Sequence, residues 1–443
     1  MRRFLLDRIK EWCERPNRKP LLLQGSRQVG KSWLLREAGK TLFDDYVVIN
    51  FDRESDIQTL FNTTKDVTRL IEQIGLIKGR IIQPQKTLLI FDEIQECAAA
   101  LNSLKYFRED APEYAVAAAG SLLGVALNHS NISFPVGQVD FMTLYPLTFY
   151  EFLEAEDTSL FKALLSYKYT DTLPDNIFNR LEEKYKVYLL IGGMPEVVSI
   201  WLSSRDMREV EKTLDSIVKS YEFDFSKYAS PADVMKIKQV WGNLQEQLAK
   251  ENKKFRYALI RHGARSRDYE SAINWLATAG LVHKVANTET SRLPLNAYKN
   301  EEAFKLYLSD VGILRRMFGL SADTLLLNNR IFTEFKGIIA ENHVLNSMIA
   351  QTNSFPLYWT SGNQAEVEFV FQNNDMIIPV EVKAATNVQA KSLKYYRQTY
   401  QPKLSVRCSL RNLQYAEGLL NLPLFMADRM FDFISDCDRD LCD

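Results

Sequence analysis

The chain has 443 residues, of which 46% are hydrophobic and 25% charged, values of an ordinary globular protein too long for a single core. Its 55 Lys and Arg balance 56 Asp and Glu to a net charge of -1, which excludes a global field that would mark a nucleic-acid or membrane binder; any basic surface is local. Five scattered cysteines (Cys13, Cys97, Cys408, Cys437, Cys442) form no CxxC pair and sit beside no histidine at zinc spacing, so a reducing, cytoplasmic setting without structural metal is expected.

The opening "MRRFLLDRIKEWCERP" is not expected to be a secretory leader, because charges flank a three-residue apolar patch. Nor does any apolar run reach the ~20 residues of a membrane span. The first strand is predicted at Leu21–Leu23, followed by the turn "GSRQVGKS" and a helix ending near Gly39. The turn matches GxxxxGK[ST] at Gly25, Gly30, Lys31 and Ser32. Glycines let the backbone curl, so that the N–H groups of Gly25, Ser26, Arg27, Gln28, Val29 and Gly30 point at phosphate oxygens in front of a helix dipole. Lys31 would reach the β and γ phosphates of ATP, and the Ser32 hydroxyl would ligate Mg²⁺.

Further strands are predicted at 46–52, 87–91 and 114–121. The run "TLLIFDE" ends in Asp92 and Glu93, and in a parallel sheet such residues face the nucleotide crevice. Asp92 is placed to hold Mg²⁺ through water, and Glu93 to orient or deprotonate the attacking water. Ser121 ends the 114–121 strand, where it either senses the γ-phosphate or caps the next helix.

These residues, together with "VDFMTLYPLTFYEFL" (139–153), "IGGMPEVV" (191–198) and "FKLYLSDVGIL" (304–314), resemble a family of prokaryotic AAA-type ATPases over roughly residues 1–410. Members of that family carry a C-terminal domain of unassigned function related in fold to PD-(D/E)XK nucleases. The resemblance implies an α/β chain: an AAA-type P-loop domain (1–150), a helical lid or connector (151–230), a winged-helix domain (231–325), a restriction-endonuclease-like domain (326–412) and a tail (413–443). It implies an ATPase. The family usually shows an arginine where this chain has Gln138, so a slow switch rather than a motor is one expectation, with Arg27, Arg53 and Arg108 as alternative sources of the missing charge.

In the middle, apolar positions from Val234 to Leu248 and from Tyr269 to Leu276 follow helical spacing, and "LVHKV" begins a strand. That order suggests a winged helix. Residues 249–268 hold seven Lys or Arg and two acids, which fits either a DNA backbone contact or the solvated face of a protein-docking module.

Toward the C-terminus, Glu341 lies on a predicted helix, Glu366 and Glu368 alternate on one strand, and Glu381 and Lys383 on the next. Within the resemblance, Glu368, Glu381 and Lys383 would be the two metal acids and the lysine of a nuclease-like site, supported by Glu341. The usual first acid is Asp; Glu368 carries one more methylene, which disturbs the octahedron that Mg²⁺ demands. Residues 383–412 then hold seven Lys or Arg and no acid, interleaved with Tyr395, Tyr396 and Tyr400, which favours contact with nucleic acid or another polyanion. An ATP-gated protein-interaction switch with an unidentified protein partner is the rival reading. The Asp-rich end, "DRMFDFISDCDRDLCD", is expected either to fold back on the basic stretch or to fray. The four histidines (129, 262, 283, 343) are expected to be structural or exposed.

Overall fold

A computed structural model describes residues 1–121, 137–250, 253–322, 330–362, 364–384 and 391–442; His129 lies outside them. The chain divides into two compact units, one of Met1–Tyr145 with Thr278–Gly280, the other of Pro146–Ala277 with Leu281–Asp443. No described helix is long and apolar enough to cross a membrane.

The first unit is built on five parallel strands: β1 (Leu21–Gln24), β2 (Asp45–Asn50), β3 (Thr87–Asp92), β4 (Ala115–Ala119) and β5 (Asp140–Thr143), in the order β2-β3-β4-β1-β5. Because successive side chains leave a strand on opposite faces, each of β1 to β4 feeds two cores. Leu22, Leu89, Phe91, Val116 and Ala118 join one apolar cluster, and Leu21, Leu23, Leu88, Ile90, Ala115 and Ala117 join the other. Burial on both faces explains why these strands read as continuous apolar runs. The interior position of β1, between β4 and β5, puts the loop that follows it on the sheet's carboxyl edge with a strand on either side. The helix after the loop runs Lys31–Leu42, three residues past Gly39.

The second unit opens with five helices, Phe149–Glu156, Thr158–Ser166, Asp175–Ile191, Pro195–Ser204 and Met207–Tyr228. Their aromatic residues pack on one another, with Phe149 against Tyr185 and Tyr188. The helices Pro231–Leu248, Tyr257–Ile260 and Ser266–Thr278 come next, then the antiparallel pair β6 (Val282–Thr288) and β7 (Asn300–Leu308). This hairpin does not stand apart. Asn287 and Thr288 of β6 pair in parallel with Tyr358 and Trp359 of β8 (Leu357–Thr360), so the hairpin continues into the C-terminal sheet.

That sheet has eight strands in the order β12-β13-β11-β10-β9-β8-β6-β7, where β9 is Glu366–Asn373, β10 Met376–Val382, β11 Ser405–Ser409, β12 Gln414–Ala416 and β13 Leu419–Pro423. The helix Arg330–Thr352 is joined to it by Asn342, whose side chain accepts from the N–H of Leu308 at 2.9 Å and donates to its carbonyl at 2.7 Å. The helix Lys391–Tyr400 buries Leu393 and Tyr396, its 3.6-residue period turning that side to the sheet. The Asp-rich end forms a helix, Met430–Cys442, which buries Met430, Phe433, Ile434 and Cys437.

Candidate functional site

The carboxyl edge of β1 carries a backbone that ordinary residues do not adopt. Gly25 has φ +145°, and a Cβ there would lie 2.3 Å from the carbonyl oxygen of Leu144, so only glycine fits. Gln28 and Gly30 also have positive φ, +65° and +93°, turning the chain sharply before Lys31 starts the helix. Val29 is fully buried and anchors the loop from beneath. The loop is thus held open as a cradle by sterics and by burial of one apolar side chain.

Lys31 lies almost entirely inside this cradle, 6% exposed, with its ammonium donating to the carbonyls of Gly25 and Ser26 at 2.9 Å each. Burial pushes its pKa down to about 8 against the opposing pull of Glu93 and Asp92, and Arg27 adds to the lowering. Ser32 donates to Asp92 at 2.8 Å. Asp92 itself is buried at the end of β3, directly beside Asn50 in the register of β2. The next residue, Glu93, has φ +51° and accepts a hydrogen bond from Gln95 at 2.7 Å. The structure therefore brings together a buried cation, a hydroxyl–carboxylate pair and a second, oriented carboxylate. Ser121 stands at the turn after β4, the strand between β3 and β1.

One residue of this region carries no signal in the sequence. Arg3, 4% exposed, donates from Nη1 to the carbonyl of Val29 at 2.9 Å and from Nη2 to that of Tyr145 at 2.5 Å, bracing the loop's underside. Nothing in "MRRF" separates this arginine from Arg2, which is exposed and paired with Asp7.

Residues 17–153 match a family model described as an AAA domain. The N-terminal unit therefore carries an AAA-type P-loop domain. Beyond the AAA domain, residues 182–324 and 336–425 match two models, each described as a domain of unknown function (DUF8612 and DUF4143). No curated protein matches the chain. Among solved structures, a Walker-type ATPase of Pyrococcus abyssi is 15% identical, with 71% of this chain and 94% of that chain covered, at a TM-score of 0.44. The ORC1 protein of Aeropyrum pernix, solved in complex with DNA, is 14% identical over 71% and 91% at a TM-score of 0.28, and PCH-2 of C. elegans is 15% identical over 46% and 60% at 0.28. The AAA part of the resemblance rests on the family model; the C-terminal part falls on families whose function is unassigned.

The AAA domain's residues fit nucleotide and Mg²⁺. Phosphate oxygens would take the place of the two carbonyls on Lys31, and the Ser32–Asp92 pair offers the oxygens that a hard divalent cation prefers.

The C-terminal acids behave differently. Lys383 follows β10 and is not a member of it; its ammonium donates to Glu368 at 2.9 Å and stands 3.7 Å from Glu381. Glu368 also accepts from the N–H of Val382 at 3.3 Å. Glu381 is fully buried, and on its other side Arg407 of β11, its direct register partner, lies 3.6 Å away. Glu341 is paired with Lys253 and accepts from the Tyr307 hydroxyl at 3.3 Å. Glu366 is paired with the buried Lys305. Burial pushes the pKa of Glu381 up against Lys383, and that of Glu366 up against Lys305. For Glu341, burial acts upward but the cations, Lys253 first, win and hold it below its usual range.

Sequence reasoning thus places Glu341, Glu368, Glu381 and Lys383 in one neighbourhood, as the structure does, but misses the cations. Four carboxylates (Glu341, Glu366, Glu368, Glu381) meet four cations (Lys253, Lys305, Lys383, Arg407), so the cluster is neutral from its own side chains. No three acid, histidine or cysteine groups among the described residues are close enough to share a metal.

Two further expectations change. In the run 383–412, Tyr396 and Tyr400 pack on Trp359, with ring centroids 4.9 and 5.8 Å away, and are no exposed stacking platform; the helix period turns positions 393, 396 and 400 inward. Lys253 and Arg407, counted in the two basic segments, are engaged with Glu341 and Glu381. Of the described histidines, His283 and His343 are buried and pushed by burial to a pKa of about 4, hence neutral and structural; His262 is exposed.

Proposed function

We propose that the protein binds and hydrolyses Mg-ATP and that its nucleotide state governs the C-terminal modules. The observation that carries this reading is the convergence of Lys31, the Ser32–Asp92 pair and Glu93 at the carboxyl edges of β1 and β3. The loop amides from Gly25 to Gly30 hold the phosphates, Lys31 neutralises charge on the β and γ groups, and Ser32 and Asp92 hold the cation. When bound, Mg²⁺ draws charge from the transferring phosphoryl group. Glu93, fixed by Gln95, orients and deprotonates the attacking water, and Ser121 senses the γ-phosphate. Residues 1–150 are the ATPase, 151–230 a lid or connector, 231–325 a winged helix and 326–412 a nuclease-like fold followed by the tail.

DNA contact is part of the reading. A cleft of about 1010 Å³ lined by Lys250, Lys254 and Arg256, with Glu289 and the Lys305-paired Glu366 also on its wall, supports a backbone contact through residues 249–268. The test is nucleotide affinity and ATP turnover, with and without DNA, for wild type and Lys31→Ala; equal affinity of the two would end the proposal.

A second reading is favoured by the neutral cluster. The nuclease-like domain is inert and docks a protein partner under ATP control, its acids serving a structural ion-pair core. Incubation with plasmid DNA and Mg²⁺ or Mn²⁺ separates the readings, since cutting that is lost in Glu381→Ala would sink the second.

A further inference from the structure

The basic run that follows Lys383 is not spread evenly over the surface. Between the helix Lys391–Tyr400 and β11 lies a cavity of about 770 Å³ whose lining includes Lys394, Arg397 and Arg407, two carboxamides (Gln398 and Gln401) and no carboxylate. Arg407 is offset on its far side by Glu381, but Lys394 and Arg397 stand as like charges on one hollow and repel each other unless an anion joins them.

The chain supplies no such anion to the cavity. Lys394 is exposed and stands in no ion pair among the described residues. Arg397 donates one Nη to the carbonyl of Glu417, a neutral acceptor that leaves its charge uncompensated. Arg407 is mostly buried, and its Nε makes no hydrogen bond, the nearest acid being Glu381 at 3.6 Å behind it.

We propose that this cavity is a second anion site, separate from the P-loop, which takes the phosphate group of a small phosphate-bearing molecule. Two guanidinium forks and an ammonium match a group with two negative charges and several oxygens better than they match a single carboxylate. The carboxamides of Gln398 and Gln401 can both donate and accept, which suits the polar body attached to such a group. The volume lies in the range of small-molecule sites. A nucleic-acid strand fits less well, because two of the three tyrosine rings that would stack its bases, Tyr396 and Tyr400, are spent on Trp359 and Tyr395 alone is exposed. The site does not depend on the ATPase reading.

The test uses the full chain carrying Lys31→Ala, which removes phosphate binding at the P-loop. Inorganic pyrophosphate is titrated calorimetrically into this protein and into versions with Lys394→Gln or Arg397→Gln added; Arg407→Gln is avoided because it also strips Glu381 of a partner. Binding is expected in the Lys31→Ala protein, weakened about tenfold or more by either added change. Lys254→Gln, in the separate cleft, is expected to leave it unchanged. Absence of pyrophosphate binding, or binding indifferent to Lys394 and Arg397, would overturn the proposal. So would a 5′-phosphorylated oligonucleotide that binds through Lys394 without competition from pyrophosphate, which would make the surface a nucleic-acid face.

Discussion

The backbone N–H of Gly193 donates to the buried carboxylate of Asp310 at 2.6 Å, across 117 positions of chain. Asp310 also accepts from the N–H of Ile313 at 2.8 Å and so caps the helix Val311–Met317. On its other side, Gly193 receives the N–H of Leu147 on its carbonyl at 2.7 Å. Three segments that carry the family resemblance, around Leu147, Gly193 and Asp310, therefore meet in one knot. Glycine is required where they cross, because a Cβ on Gly193 would lie 2.0 Å from the carbonyl oxygen of Leu147 and one on Gly312 2.3 Å from that of Ile191.

Substitutions in this knot are expected to act on stability. Gly193→Ala should destabilise by about 3 kcal/mol or more, since the clash is with the backbone of Leu147, which cannot rotate away as a side chain could. Asp310→Asn should cost about 2 kcal/mol by turning an amide N–H toward backbone donors. Burial pushes the Asp310 carboxyl up to about 6, so the folded state keeps a proton that the unfolded chain has lost. Its contribution to stability is full below about 4 and disappears as pH rises through 6. Urea midpoints from pH 4 to 7 for wild type and Asp310→Asn check both size and sign.

Nucleotide affinity should depend on pH through Lys31. The ammonium is needed by the phosphates, and bound phosphate raises its pKa above the depressed value of about 8. Affinity is thus constant below about 8 and declines as pH climbs beyond it, by up to about tenfold per pH unit. Titration of ATP between pH 6.5 and 9.5 shows the decline in wild type; in Lys31→Ala affinity is low throughout.

Glu93→Gln should separate binding from turnover. The amide keeps the side chain's size and its contact with Gln95 but is no base, so ATP affinity is retained while hydrolysis drops by about 10² to 10⁴. Single-turnover hydrolysis beside equilibrium binding tests this. A matching loss of affinity would count against the assigned role.

The C-terminal cluster yields a prediction whose sign decides its nature. If Glu381 completes ion pairs with Lys383 and Arg407, then Glu381→Gln leaves Arg407 without its acid and Lys383 with Glu368 alone, and destabilises by about 3 kcal/mol in metal-free buffer. Acids poised for a metal would repel one another without it, and the same change would stabilise. Denaturant unfolding in EDTA distinguishes the two.

Arg3→Ala should loosen the P-loop from below. Its loss leaves the carbonyls of Val29 and Tyr145 without their donor, and a drop in nucleotide affinity of about tenfold is expected with little change in the rest of the unit. Hydrogen exchange of the loop amides, faster in the variant, would show that the effect is positional.

Much of this was legible locally. The strand before Gly25, the turn, the helix after it and the apolar run into Asp92 are all encoded within a few residues, since loop glycines and buried strands impose their demands on neighbours in sequence. The acids at 341, 368 and 381 were legible too, through helix and strand periodicity. Periodicity, however, states which face a residue occupies and not what waits opposite. The expectation of stacking tyrosines fails at Tyr396 and Tyr400 for that reason, because the inward face that holds them is the one that meets Trp359, while Tyr395 stays exposed.

By itself, then, the order of amino acids determined the phosphate-holding loop and its carboxylates, because that chemistry depends on backbone conformation over a dozen residues and on one neighbouring strand. Only the tertiary structure decided that Lys253 closes on Glu341 from 88 positions away, that Arg407 backs Glu381, and that Arg3 holds Val29. Charge pairing acts through space and is insensitive to separation along the chain, so an acid that reads as a metal ligand becomes half of an ion pair when folding sets a cation beside it.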